Sequence, residues 1–422
     1  MEKKGAKKIG LFSFFAGAGF LDLGFETTPG FETVFVNEFH APFMEIYRAS
    51  REKMNIPSPI LGHHVRDISD FLEDSRLLKF SESLEAAKEK FDVTGFIGGP
   101  PCPDFSVGGK NKGKEGENGK LSGTYIQLIC KTQPDFFLFE NVKGLWRTKK
   151  HRQFYESLKD KLQNSGYFLT ERLINAIEYG APQDRDRIIL VGFHRDFLNR
   201  KSYEHNQTQF LWNFDWDFAR KFDANTIFDL DWPKTEPFVE NEFKPSPYGV
   251  LKELTVKHWF EKNEVEAHPN RNKYFQPRAG LAKFLTIAEG DDKKKSYKRL
   301  HRWRYSPTAA YGNNEVHLHP YLPRRISVAE ALSLQSLPKD FVIPDHITLS
   351  NSFKAIGNGV PFLAAKGLAL TILNFLGSID PTYKIYLDGE IDRSEFGSIY
   401  KSVAKAKQLS VLESEEQEPY KN

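Results

Sequence analysis

Short apolar runs alternate with amphipathic ones along the first half of the chain. Residues 9 to 15, "IGLFSFF", are apolar and end at glycines, the pattern of a buried strand. "FLDLGFE" (20–26) predicts a short helix, "FETVFVNE" (31–38) a second strand ending at Glu38, and "HAPFMEIYRAS" (40–50) another helix. "VRDISDF" (65–71) stands near the end of a possible third strand. Residues 91 to 97, "FDVTGFI", and 135 to 142, "DFFLFENV", predict two more strands, with a helix over "TYIQLICKT" (124–132) between them. "HRQFYESLKDKLQNSG" is an amphipathic helix stopped by Gly166. "YFLTERLINAIEYG" and "DRIILVGF" complete a strand-rich end. Strands alternating with helices over the first ~190 residues predict an α/β fold, a largely parallel sheet built from βαβ units.

After His194 the regular alternation stops. Residues 195 to about 300 carry tryptophans, prolines and mixed charge, as in "FLWNFDWDFARKFD" and "DDKKKSYKRLHRWRY". From about 316, "HLHPYLPRRISVAEALSLQSLP" and "NSFKAIGNGVPFLAAKGLALTILNFLG" return to apolar helices with capping signals. The expected division is an α/β domain over 1–194, an irregular domain over 195–315, a return segment completing the first domain over 316–378, and a polar extension of no assigned role over 379–422.

Composition narrows the picture only a little. The 422 residues are 40% hydrophobic and 27% charged, with a net charge of +3, so bulk charge does not announce a polyanionic partner. Two cysteines make neither a disulfide framework nor a four-cysteine metal site, and they suit a reducing compartment; no metal is expected. The lysines and apolar run at the N-terminus mimic a secretion signal, but Asp22 and a GxG pattern interrupt it. No membrane-spanning helix is expected.

Four clusters carry candidate chemistry. "FFAGAGF" is a strand, a glycine turn and a helix, where bare backbone can approach a ligand. Glu38 follows at the distance where an acid takes ribose hydroxyls. Phe20 and Leu21 after Gly19 break the dinucleotide pattern and point to a smaller adenosyl ligand. Asp67 could accept from an adenine amino group or simply cap a helix. "GGPPCP" (98–103) places Cys102 between prolines at a strand's carboxyl end, which presets the direction of its thiol. A glycine-rich basic segment behind it suggests a lid over a polyanion. "ENV" puts Glu140 and Asn141 at the same sheet edge if the strands are parallel. In "QDRDR", Gln183, Arg185 and Arg187 share one face if the segment is a strand, with Asp184 and Asp186 on the other. Paired arginines on one face suggest recognition of a carbonyl or phosphate.

In order and spacing these motifs resemble the cytosine-5 DNA methyltransferase family, over about residues 9–194 and 300–376. "FFAGAGF", "NE" and "RDIS" look like its cofactor motifs, "GGPPCP" its nucleophile motif, "ENV" its glutamate motif and "QDRDR" its arginine motif. "RRISVAEALSLQSLP" is similar to its helix after the target-recognition domain, and "GNGVP" to its last cofactor motif. "SPTAAY" looks like that domain's exit. The chain departs from the family at Ser13, Phe20 and Pro103.

The resemblance implies a Rossmann-like sheet with helices on both faces, a smaller target-recognition domain, and transfer of a methyl group from S-adenosyl-L-methionine to a cytosine flipped out of duplex DNA. It implies Cys102 as nucleophile, Glu140 on ring nitrogen 3, Arg187 with Arg185 beside it on the ring carbonyl, and Asn141 ordering the loop around Glu140. For the cofactor it implies Phe15 and Phe39 about the adenine, Gly17, Ala18 and Gly19 near the methionine part, Glu38 on the ribose, Asp67 and Ile68 on the adenine, and Pro101, Asn358, Gly359 and Val360 on the far side. The closing loop would span Ser106 to Tyr125. Ser106, Gly109, Lys110, Gln183 and Thr308 are the expected DNA-side residues, and the basic residues of 108–120 and 293–304 the expected phosphate contacts. A bacterial cytoplasmic enzyme, monomeric on DNA and paired with a separately acting restriction endonuclease, is the corresponding setting. The alternatives are an RNA cytosine-5 methyltransferase on the same fold and a catalytically inactive DNA-binding member.

Overall fold

β1 (Ile9–Phe14) is buried along its whole length, as a strand covered on both faces must be. The computed structural model describes residues 8–101, 117–204, 208–277, 281–293, 297–309, 311 and 316–387. β1 lies inside a seven-stranded sheet of order β3-β2-β1-β4-β5-β7-β6. The other strands are β2 (Phe31–Glu38), β3 (His63–Val65), β4 (Val93–Gly98), β5 (Phe136–Val142), β6 (Tyr167–Asn175) and β7 (Asp186–His194). Pairings from β3 through β5 are parallel, whereas β7 runs antiparallel to both β5 and β6. The sheet is largely parallel, as the alternation predicts, and β7 is its one reversed strand. A short connection joins β6 to β7, and a short connection makes an antiparallel pair where a parallel one needs a crossover.

The two-residue period of the strands sorts their side chains between two cores. Ile9, Leu11, Ile97 and Leu138 face one side, under the apolar helix Phe362–Ile379. Phe12, Phe14, Phe96 and Phe139 face the other, under α3 (Asp74–Lys90), α4 (Glu117–Thr132) and helix Lys149–Asn164. On the first side, α1 (Phe20–Glu26) packs against Phe362–Ile379, and α2 (Ala41–Lys53) follows β2. Leu349–Ile379 has the length and composition of a membrane span, which the sequence reading did not register. It is two helices broken at Gly359–Pro361, and 67% of its most apolar window is buried inside the protein.

Several expectations are corrected here. The hydrophobic core on the first side continues past residue 194, where Phe197, Leu198, Tyr203, Leu211 and Phe214 join it. It also continues past 378, where Tyr383 is fully buried against that core. Residues 117–125 are not loop but the start of α4, with Tyr125 buried between Phe14 and Phe139. Gln183 and Arg185 precede β7, so only Arg187 of that trio lies on a strand. In the irregular domain, Arg299 and Arg302 are buried and internally satisfied. Arg299 donates to the carbonyls of Ile287, His319, Leu322 and Phe284, and Arg302 pairs with the buried Glu289 at 2.8 Å. These two are structural ties, not phosphate contacts. Phe20, where the family has glycine, packs edge-on against Phe341 and leaves no room for a Cβ on Gly359.

Asp22 on α1 is buried, and burial followed by the neighbouring Glu26 charge pushes its carboxyl up to about 7, against the pull of Arg51. An acid whose folded pKa is raised holds an extra proton in the folded state between its unfolded and folded values. Its contribution to stability is therefore present at about pH 4 and lost as pH rises through about 7. Asp22→Asn is expected to raise the melting temperature at pH 8 relative to wild type, by the equivalent of about 1 kcal/mol or more, and to change it least at about pH 4, where the carboxyl is protonated in the folded state and no linkage penalty has built up. Equal shifts at the two pH values in thermal unfolding would refute this.

Candidate active site

The carboxyl ends of the parallel strands form one edge, the place where open α/β sheets bind ligands. β5 brings Glu140 to it. Reversed β7 begins at the same edge, with Glu140 opposite Ile189 and Val142 opposite Arg187. Glu140 and Arg187 are thus diagonal neighbours on one face. Arg187 Nε stands 2.6 Å from Glu140 Oε1, and both side chains are nearly buried. Burial pushes the Glu140 carboxyl above its ordinary value, while Arg187 and Arg185 pull it back. The carboxyl is therefore easier to protonate than an exposed one.

The chain leaving β4 runs against this carboxyl. A Cβ on Gly99 would lie 2.5 Å from Glu140 Oε2, so the glycine is what admits the acid there. Asn141 Nδ2 donates to the Pro100 carbonyl at 3.3 Å, and its Oδ1 accepts from Val142 N at 2.9 Å. Asn141 therefore clamps the segment that leads to Pro101. Cys102, Ser106, Gly109 and Lys110 lie outside the described residues, as does Pro103.

The segment before β7 is a junction. Gln183, fully buried, donates to Leu334 O at 3.1 Å and Gln335 Oε1 at 3.3 Å, and accepts from Ala309 N at 3.1 Å. Arg185 donates to Ala309 O at 3.2 Å and Gly357 O at 2.7 Å. Burial, then neighbouring Arg187, holds its guanidinium pKa well below the usual value. Thr308 is exposed and donates to Asp184 O at 2.6 Å. Asn175 accepts from Arg185 N and donates to Asp184 at 2.7 Å and Asp186 at 3.1 Å. The arginine segment, the exit of the irregular domain and the helix ending at Asn358 thus meet at one place. Gln335 and Asn175 were missed in the sequence. A lone glutamine in an apolar helix end and an Asn-x-x-Glu capping box were their signals.

The other end of the edge is a cradle. Phe15, Gly17 and Gly19 all have left-handed backbone, with φ of 52°, 58° and 78°. Glu38, buried at the end of β2, accepts from Gly17 N at 2.9 Å and His40 N at 2.7 Å. Burial raises its carboxyl pKa. Phe39 beside it is 68% exposed. Asp67 caps the 3-10 turn Ile68–Leu72 through Ser69 N, the plainer of the two readings offered for it. Ala18, Ile68 and Val360 are buried, Pro101 and Gly359 half-buried, and Asn358 exposed at its helix end.

Comparison with known proteins gives a consistent picture. The sequence model of C-5 cytosine-specific DNA methylases matches residues 9–374. The chain is 59% identical over 374 residues to the type II methyltransferase M.NmeDI of Neisseria meningitidis serogroup C, covering 88% of this chain and 84% of that one. It is 29% identical over 378 residues to the type II methyltransferase M.FnuDI of Fusobacterium nucleatum, covering 86% and 94%. Its fold resembles the crystal structure of a protein described as a prophage-encoded DNA modification methyltransferase of E. coli, with TM-score 0.59 and 20% identity over 88% of this chain and 100% of that one.

Replacing Gln183 by Leu would leave Ala309 N and Leu334 O buried without their partner. The expected cost is about 2–4 kcal/mol of stability, read from urea unfolding. A loss under about 0.5 kcal/mol would show that the junction is not held by this amide.

Proposed function

The chain belongs to the C-5 cytosine-specific DNA methylase family, and from that premise we propose how its residues divide the task. The protein is a DNA cytosine-5 methyltransferase of restriction–modification type. The observation that carries the assignment of roles is the buried Glu140–Arg187 pair, set against the glycine–proline segment that leads to Cys102.

Cytosine inside a duplex cannot be reached, so the base is flipped into this edge. Cys102, as thiolate, adds to ring carbon 6. Glu140, whose pKa burial raises, carries a proton to ring nitrogen 3 as negative charge develops there. Arg187 donates to the ring carbonyl. Arg185, spent on the Ala309 and Gly357 carbonyls, positions Arg187 rather than touching the base. Carbon 5, now nucleophilic, would take a methyl group; a base then removes its proton, the carbon 6–sulfur bond breaks to release the Cys102 thiolate, and nitrogen 3 returns its proton to Glu140. Asn141 holds the approach to the nucleophile.

S-adenosyl-L-methionine is the proposed donor, and when bound it supplies an electrophilic methyl on a sulfonium. The cradle fits it: a Cβ on Gly17 would meet only open space, Phe39 presents a bare ring, and Glu38 is held by two backbone N–H groups. Glu38 takes the ribose hydroxyls, Phe15 and Phe39 flank the adenine with Asp67 at its amino group, and Gly17 to Gly19 pass the methionine part. Pro101, Asn358 and Gly359 lie on the far side, while buried Ile68 and Val360 back the cradle. Exposed Thr308 is assigned to the DNA side together with Ser106, Gly109 and Lys110, which lie outside the described residues, whereas Gln183 acts from within the junction. A separately acting endonuclease, a monomeric state on DNA and a bacterial cytoplasmic setting complete the proposal.

Radiolabelled S-adenosylmethionine offered with duplex DNA or transfer RNA tests the reading. Label is expected in DNA, and none with Cys102→Ala. Label confined to RNA, or undiminished in the variant, contradicts it; DNA binding without label would mark an inactive member. Glu140→Gln is expected to lower kcat by about 10²–10³-fold with cofactor affinity unchanged. Gly99→Ala is expected to lower kcat by about tenfold or more, because its Cβ displaces the same carboxyl. Unchanged single-turnover rates in either variant would remove Glu140 from its assigned role.

A further inference from the structure

The two sides of the glycine turn are framed differently. Open space lies where a Gly17 side chain would go, so only its backbone demands glycine. A Cβ on Gly19, in contrast, would lie 2.5 Å from the Tyr47 ring and 2.6 Å from Arg51 Nη2. One side of the turn faces the cradle. The other is packed on α2, and α1 has no side-chain cap at Gly19 to hold the turn locally.

Arg51 sits in the last turn of α2 and is buried. Its Nη2 donates to Gly19 O at 2.6 Å, and its Nη1 to Ala18 O at 3.5 Å and Ser50 Oγ at 3.2 Å. Nε donates to Glu26 Oε2 at 2.8 Å, and the guanidinium lies 4.0 Å over the Tyr47 ring. Tyr47 in turn donates to Glu26 Oε1 at 2.7 Å, its hydroxyl oxygen lies 3.3 Å from Asp22 Oδ1, and Thr33 donates to Glu26 Oε1 at 3.2 Å. Glu26 and Tyr47 therefore fix the plane of a guanidinium whose Nη2 and Nη1 reach the Gly19 and Ala18 carbonyls of the turn, with Ser50 Oγ also taking Nη1. A planar fork can hold a carboxylate and two carbonyls at once, which a lysine ammonium cannot reproduce.

We propose that Arg51, oriented by Glu26 and Tyr47, is the positioning residue of the S-adenosylmethionine cradle, holding the Ala18 and Gly19 carbonyls so that the Gly17 face stays open to the ligand. It never touches the cofactor. It removes the ordering that binding would otherwise have to supply. The proposal rests on the assignment of S-adenosylmethionine as donor.

Calorimetric binding of S-adenosylmethionine to the purified full chain without DNA tests it, with duplex-DNA affinity measured beside it. Arg51→Met alone strands Glu26 in the interior, so the main variant is Arg51→Met with Glu26→Gln, which removes both charges. This variant is expected to bind the cofactor about tenfold or more weakly, with DNA affinity within about twofold of wild type. Cofactor affinity within about twofold of wild type, or an equal loss on both ligands, overturns the proposal. Arg51→Lys keeps the charge against Glu26 and carries the test should the double variant not fold. A loss of about threefold or more supports the proposal, and none overturns it. Wild type failing to bind S-adenosylmethionine would instead overturn the donor assignment.

Discussion

A carboxyl buried at the edge of a sheet is costly unless a cation meets it. Glu140 is met by Arg187 from the diagonal position of the neighbouring strand. That meeting requires β7 to run against β5, so that its first residues share an edge with β5's last. The reversed strand is thus the feature that lets one edge hold the Glu140–Arg187 pair beside the Gly99–Pro101 segment. Gly99 and Asn141 then adapt the neighbouring backbone to that carboxyl, the one by having no side chain and the other by clamping Pro100.

The same economy governs how the parts join. Arg185 donates to the Ala309 carbonyl at the irregular domain's exit and to the Gly357 carbonyl in the helix that ends at Asn358, while Gln183 accepts from Ala309 N and donates to Leu334 O and Gln335 Oε1. A shift of either part is therefore felt within two residues of Arg187. The cofactor end is tied in parallel fashion, with Glu38 gripping Gly17 N–H and Arg51 gripping the carbonyls behind the turn. Both ends of the edge are held by buried polar groups whose partners come from distant sequence, and at the junction Arg185 Nε is buried without a hydrogen-bond partner.

Most strands and the motifs at their ends were legible along the chain because buried strands are short apolar runs and glycine turns break them; their order in the sheet was not among the expectations. Strand direction was not legible, since an apolar run such as "DRIILVGF" reads the same either way; the short link from β6 carried that signal. The start of α4 at Glu117 was hidden because "ENGKLSG" looks like loop, and tertiary packing of Tyr125 overrides it. Arg299 and Arg302 looked like phosphate contacts because a charge in a sequence does not show its partner; Glu289 and a ring of carbonyls absorb them. Glu140 was legible at the strand end with Asn141, and Arg187 beside Arg185, but that the two meet needed the register of β5 with β7.

The central claim is that Cys102 adds to the ring while Glu140 and Arg187 hold it, and that loss of the carbon-5 proton releases the enzyme. Fluorine at carbon 5 cannot leave as a proton does, so the last step stalls with the bond to sulfur intact. Duplex DNA carrying 5-fluorocytosine in place of cytosine, incubated with S-adenosylmethionine and resolved on a denaturing gel, reads this directly. The account predicts a denaturant-resistant protein–DNA complex with wild type and none with Cys102→Ala. No such complex with active wild type, or one that survives the loss of Cys102, would contradict it.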